Sequence, residues 1–147
     1  MDYKWIILNN LSDIKHLMLF DKDCFMECDL LSEQEYIRWF IHGLRIFILV
    51  DKDTGEWISS YQIVQDFEEG NYFAGFAVHP KYRKRGYAQI TLNHIIHHFN
   101  IDKDLVCKTR RNNFPMIMLL KKNGFKNRLV DLSTRDKWTW WTRELKK

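Results

Sequence analysis

The stretch Asn71 to Ala88, NYFAGFAVHPKYRKRGYA, carries residue types and spacing suited to binding a charged ligand. A strand-like apolar run ends at Val78-His79-Pro80. A basic loop, Lys81-Tyr82-Arg83-Lys84-Arg85, follows, and Gly86 opens a helical pattern. The pattern Arg83-x-x-Gly86-x-Ala88 falls on this junction. N–H groups in the first turn of a helix have no intrahelical acceptor. They also form the positive end of the helix dipole, so they hold phosphate oxygens well. Small residues at 86 and 88 let the main chain come close to a ligand, and Lys81, Arg83, Lys84 and Arg85 add positive charge around it. Taken alone, Arg-x-x-Gly-x-Ala also describes an ordinary helix start with a glycine near its N-cap. Its place between a strand and a helix is what a phosphate cradle requires. A dinucleotide fingerprint is excluded: the third glycine is missing, and the preceding elements form a meander rather than a βαβ unit.

The rest of the chain must position that junction. Tyr3 to Leu8 reads as a strand, and Ser12 opens a helix with Ile14, Leu17 and Met18 at helical spacing. Ser32-x-x-Glu35 is a capping box for a second helix over 33–42, closed by Gly43. Arg45 to Val50, Trp57 to Gln65 and Asn71 to Val78 read as an antiparallel meander. Gly86 to Phe99 is helical, with Ala88, Leu92, Ile95 and Phe99 on one face. Leu105 to Lys108 is a short strand. Asn113 to Lys122 is a helix that tolerates Pro115 in its first turn. Phe125 to Val130 and Lys137 to Arg143 suggest a closing hairpin. The order is β-α-α-β-β-β-α-β-α-β-β. No internal repeat or linker divides it, and one domain over residues 1–147 is expected.

Bulk properties narrow the function classes. The chain is 46% hydrophobic and 29% charged, with a net charge of +4. A chain of this length can bury about 68–70% of its unfolded surface. No apolar run is long enough to span a membrane, and Met1-Asp2-Tyr3-Lys4 does not open a signal peptide. The three cysteines, Cys24, Cys28 and Cys107, are an odd number and fit a reducing, cytoplasmic setting. The excess charge is local, which suits either a solvated basic face or an anionic partner, a polyphosphate or a nucleic acid.

Phe76 to Ala88 resembles the acetyl-CoA-binding motif of the GNAT superfamily of N-acyltransferases. Asn113 to Phe125, NFPMIMLLKKNGF, resembles the same family's Asn…helix…Gly-Phe segment. The element order also matches. The resemblance implies an α+β (mixed α/β) fold of the GNAT type, with a central, mostly antiparallel, twisted sheet of about six or seven strands and about four helices. It implies transfer of acetyl from acetyl-CoA to a primary amine by direct attack on the thioester, with no metal. The acceptor would be a protein lysine or N-terminus, or a small-molecule amine. The amides of Arg83, Lys84, Arg85, Gly86, Tyr87 and Ala88 would hold the CoA diphosphate. Phe76, Ala77 and Val78 would lie along the pantetheine and orient the acetyl carbonyl, and Asn113 would contact the cofactor arm. Two further readings remain open: a catalytically weak or inactive CoA-binding protein on the same fold, and an enzyme acting on an RNA-borne amine. Nucleic acid is not the favoured partner, and the chain would be a monomer or homodimer.

The sequence departs from the family pattern at one place. Many members carry a Tyr four residues before the Gly of Gly-Phe as the acid for the departing thiolate; here Leu120 stands there. For the base, Glu68 and Glu69 before the cradle strand are the nearest carboxylates, although both also suit a solvated loop. Tyr72 on that strand points into or near the cleft. Cys107 is a nucleophile candidate, with a small buried residue as the plainer reading. His94, His97 and His98 share a helix face that reads as solvated rather than metal-binding. Asp51-x-Asp53-x-Gly55 lacks the glycine and glutamate of a calcium loop, and Cys24 and Cys28 lack a second ligand pair for zinc. Trp138 and Trp140 alternate to one face, as core packing or as a wall near the acceptor.

Overall fold

The computed structural model describes residues 2–67, 70–128 and 138–145. Its centre is a seven-stranded sheet of β1 (Tyr3–Ile7), β2 (Arg45–Asp51), β3 (Trp57–Phe67), β4 (Gly70–Val78), β5 (Asp104–Arg110), β6 (Lys126–Arg128) and β7 (Trp138–Arg143). The spatial order is β1-β2-β3-β4-β5-β7-β6. Every pairing is antiparallel except β4 with β5. Helices α1 (Asp13–Cys24) and α2 (Glu33–Ile41) come before β2, α3 (Tyr87–Phe99) crosses from β4 to β5, and α4 (Phe114–Lys122) follows β5. The mixed α+β architecture read from the sequence is the one the chain adopts.

Helices cover both faces of the sheet, which explains why β2 reads as an unbroken apolar run rather than an alternation. Ile46, Ile48 and Val50 face Ile14, Leu17, Phe20 and Tyr36 of α1 and α2. Phe47 faces the opposite way, toward Leu92, Ile95 and Phe99 of α3 and Leu120 of α4. The capping box of α2 forms as read: Ser32 Oγ accepts from the Glu35 N–H, and the Glu35 carboxylate accepts from the Ser32 N–H.

Two irregularities shape the middle of the sheet. The β3–β4 register passes from Ser60 opposite Ala77 to Gln62 opposite Ala74, so β4 carries one extra residue. Gly75, at φ +59°, occupies that bulge, which bends the strand and raises its twist. Second, β4 and β5 pair only at Gly70–Asp104, Asn71–Leu105 and Tyr72–Val106. Beyond Tyr72 the two strands diverge.

The boundaries differ from the sequence reading by small amounts. The strand expected over 105–108 runs Asp104–Arg110, and Asn113 caps α4 rather than starting it. Part of the expected closing hairpin, 129–137, lies outside the described residues. The histidine face needs a correction at His94. Its ring stacks on Trp5 at 4.1 Å, and its Nδ1 lies 2.6 Å from the Tyr61 hydroxyl. It is half-buried, while His97 and His98 are exposed. Period-3.6 reasoning placed it opposite the apolar stripe but could not see that β1 reaches across to cover it.

Candidate active site

The junction after β4 is the segment read from the sequence as an anion cradle. The His79 N–H donates to Ile58 O at 2.8 Å, toward β3. Strand alternation therefore aims the N–H groups of Phe76 and Val78 the other way, into the gap between β4 and β5. A short 3-10 turn, Pro80–Tyr82, leads to Lys84 at φ +63° and Gly86 at φ +85°. The α3 ladder begins with the Ile90 N–H donating to Gly86 O at 3.2 Å. The amides of Ala88 and Gln89 have no helical carbonyl four residues back. A Cβ on Gly86 would meet nothing within 4 Å. The space at Gly86 is thus open.

The basic residues around the cradle divide by role. Arg83 folds back: its Nε donates to Val78 O at 3.0 Å and its Nη2 to Cys24 O at 3.5 Å, tying the strand end to α1. Lys81 pairs with Glu56 at 2.8 Å, and the Tyr82 hydroxyl donates to the same carboxylate at 2.6 Å. Lys84 and Arg85 are exposed, with no acidic partner among the described residues.

Where β4 and β5 diverge, a cavity of about 470 Å³ opens toward α1 and α2. Gly75, Phe76 and Cys107 line it on the strand side, and Asp21, Tyr36 and Trp39 on the helix side. A chain of polar groups crosses it. The Gln62 amide lies under the bulge, where a Cβ on Gly75 would come within 2.6 Å of its Nε2. That Nε2 donates to the Tyr36 hydroxyl at 3.2 Å, which donates to Asp21 Oδ2 through a short hydrogen bond. Burial pushes the Asp21 carboxyl up to about 6, with the Tyr36 hydrogen bond opposing the shift. Burial, together with the Asp21 charge, also raises the Tyr36 phenol. At the rim, Arg110 pairs with Asp29 through its Nε at 3.1 Å and through Nη2.

A sequence model described as the Acetyltransferase (GNAT) family matches residues 14–125. The chain belongs to the GNAT acetyltransferase family. It is an acetyl-CoA-dependent acyltransferase. Among solved structures, the ribosomal-protein-S18-alanine N-acetyltransferase of Escherichia coli superposes with a TM-score of 0.81 at 16% identity, covering 99% of this chain and 96% of that one. Arabidopsis thaliana NAA60, in complex with a bisubstrate analogue, gives 0.75 at 16% identity over 98% of both chains. Salmonella typhimurium yncA, with its cofactor acetyl-CoA, gives 0.73 at 12% identity over 100% of this chain and 96% of that one. At these identities the likeness is one of fold. No curated protein matches the sequence significantly.

Several residues singled out from the GNAT pattern meet at the splay. Phe76 lines the cavity and Val78 ends the strand, while Ala77 faces α1 and is buried in the core. Tyr87 is buried and packs edge-on against Tyr82 at 5.9 Å. Asn113 lines the cavity and caps α4, its Oδ1 accepting from the Met116 N–H at 3.4 Å. Tyr72 also lines the cavity, between Phe67 and Trp140, and burial pushes its phenol up to about 12. Glu68 and Glu69 lie outside the described residues. Cys107 is 2% exposed, and burial raises its thiol, which keeps it protonated and a poor nucleophile. Leu120 is fully buried in the core. Trp141 is buried, whereas Trp138 lines the cavity beneath Lys108 and Arg110. Among the described residues no group of three or more His, Cys, Asp or Glu is placed to hold a metal.

Sequence reasoning missed Asp21, Tyr36, Gln62 and the bulge at Gly75. Only the last left a local signal, a lone glycine inside a strand pattern.

Proposed function

We propose that this GNAT protein acetylates a primary amine by direct attack on the acetyl-CoA thioester. The observation that carries the reading is the divergence of β4 and β5 just past Tyr72. At one end the gap reaches the cradle before α3; at the other it opens into a cavity walled by α1 and α2. The residues present fit the cofactor. The amides from Lys84 to Ala88 would hold its diphosphate, with Lys84 and Arg85 adding charge. The Phe76 and Val78 amides would face its arm, and Asn113 stands across the gap. Bound there, acetyl-CoA supplies an activated acetyl thioester. The chain supplies proximity and an N–H donor from β4 for the developing oxyanion.

A protein N-terminus is a fitting first acceptor to assay, because the E. coli neighbour is named for ribosomal-protein-S18 alanine. The test is thiol release from acetyl-CoA across N-terminal peptides, lysine peptides, polyamines and aminoacyl-tRNA. Turnover with one amine class supports the proposal; tight acetyl-CoA binding with no turnover on any class overturns it. That second outcome would favour a CoA-binding protein of low activity, the reading that Leu120 supports. A buried Leu cannot protonate the thiolate, and no hydroxyl replaces it at that position.

A further inference from the structure

The cavity contains a buried acceptor atom with no donor. Asp21 is 3% exposed and lines the cavity. Its Oδ2 takes the Tyr36 hydroxyl, but its Oδ1 has no hydrogen-bond partner among the described residues. Thr142 Oγ1 shares that state but does not line the cavity. Buried carboxylate oxygens are normally satisfied, so an orphan calls for a donor. The neighbouring donors are committed: Gln62 Nε2 to Tyr36, and Arg110 to Asp29. Lys108 lies over the Trp138 and Trp140 rings. Trp39, Tyr72, Thr109 and Asn113 also line the cavity, none hydrogen-bonded to Asp21 among the described residues. Phe25, Leu31, Leu44 and Val64 make much of the rest apolar. A donor that enters through the cavity would satisfy it. Asp21 lines the cavity, and χ2 is a broad torsion for Asp, so Oδ1 has freedom to turn to a donor there.

We propose, building on the acetyl-transfer reading, that Asp21 contacts the ammonium group of a primary-amine acceptor with an aliphatic stem and takes its proton. An alkylammonium offers three N–H donors and no acceptor, which suits a lone carboxylate oxygen, and its stem suits the apolar wall. One proton passes from nitrogen to the Asp21 carboxylate. The nitrogen lone pair then forms the C–N bond to the thioester carbonyl carbon, and the C–S bond breaks with its electron pair going to sulfur. The sulfur takes the second nitrogen proton, and Asp21 returns the first to water. The polar chain from Gln62 through Tyr36 holds Asp21 at the cavity that the Gly75 bulge also lines.

The surrounding groups leave Asp21 to titrate near neutrality. Tyr36, facing it from α2, is raised. Cys24, its neighbour on α1, is pushed up to about 12, first by burial. Glu35 acts on Tyr36 from the first turn of α2. Arg110 and Asp29, at the rim, compensate each other. Burial pushes Asp21 itself up to about 6.

The experiment compares n-butylammonium with the neutral isostere 1-butanol, by calorimetry and by NMR, with and without CoA. In the parent protein at pH 7.5 the ammonium binds at least about tenfold more tightly than the alcohol. Its affinity falls about tenfold at pH 5, where the carboxyl is mostly protonated. Asp21→Asn abolishes both the preference and the pH step yet still binds CoA. Tyr36→Phe keeps the carboxylate and retains the preference, with the pH step moved upward. If the parent shows no ammonium preference, or Asp21→Asn retains it, the assignment is wrong. Failure of CoA itself to bind would instead sink the acetyl-transfer reading, and the CoA-free arm keeps the two failures apart.

Discussion

The two ends of the splayed gap are built in different ways. At the proposed cradle the main chain would meet the ligand, and the side chains mostly stay out of the way: Gly86 has none, Ala88 is small and Arg83 is turned back. At the proposed acceptor end side chains would carry the site, and they come from far apart in sequence. Asp21 lies on α1, Tyr36 on α2 and Gln62 on β3. A backbone site needs a contiguous segment with small residues at fixed offsets, so it leaves a readable string. A side-chain site assembled by packing leaves none.

The largest expected effect tests the first half of that contrast. Gly86→Glu places a side chain in open space before the amides, at φ +85°, and adds a like charge beside the diphosphate. Such juxtapositions cost several kcal/mol, so acetyl-CoA affinity should fall by about 100-fold or more in calorimetry. The far wall would be untouched, and the n-butylammonium preference in CoA-free protein should survive. Loss of both would show that the two ends are not separable.

The same contrast explains what could be read from the sequence. Element order was legible, and so was the strand-to-helix junction, because the meander, the capping box and Arg83-x-x-Gly86-x-Ala88 are local patterns. Leu120 was legible as a departure, and it is buried in the core. The cavity floor was not legible. Asp21 sits beside Phe20 within an amphipathic helix, and nothing in that string says that a Tyr fifteen residues later donates to it. His94 was misread for the same reason: its partners Trp5 and Tyr61 are brought to it by sheet packing.

A smaller effect probes the place where the two halves meet. Gly75→Ala requires an L residue at φ +59°, at a cost of about 1–2 kcal/mol. Its Cβ would lie 2.6 Å from Gln62 Nε2 and push the amide off Tyr36. The variant should lose about 1–3 kcal/mol in urea melts. In a Gln62→Ala background the clash is gone and only the dihedral cost remains, so a double-mutant cycle should show coupling of about 0.5 kcal/mol or more. Additive costs would mean that the bulge and the polar chain are independent.

The smallest effect contrasts buried ionisable groups of the two halves by the sign of their pH dependence. Burial lowers His94 to about 4 from 6.5, with His98 and His97 adding to the shift. Its folded pKa is depressed, so its contribution is complete above about pH 6.5 and is lost as pH falls toward 4. Discounted for half-exposure, that loss is on the order of 1 kcal/mol. Asp21 has the opposite sign. Raised from 3.8 to about 6, it favours the folded state below about pH 4, and that contribution is lost as pH rises through 6. Urea melts at pH 7.5 and 5 should separate the two. Relative to the parent, His94→Gln should lose less stability on acidification and Asp21→Asn should lose more. A His of α3 that packs against Trp5 and an Asp buried at the proposed acceptor site should part in this way. Equal pH responses in both variants would mean that the two groups are not shifted in the way their burial implies.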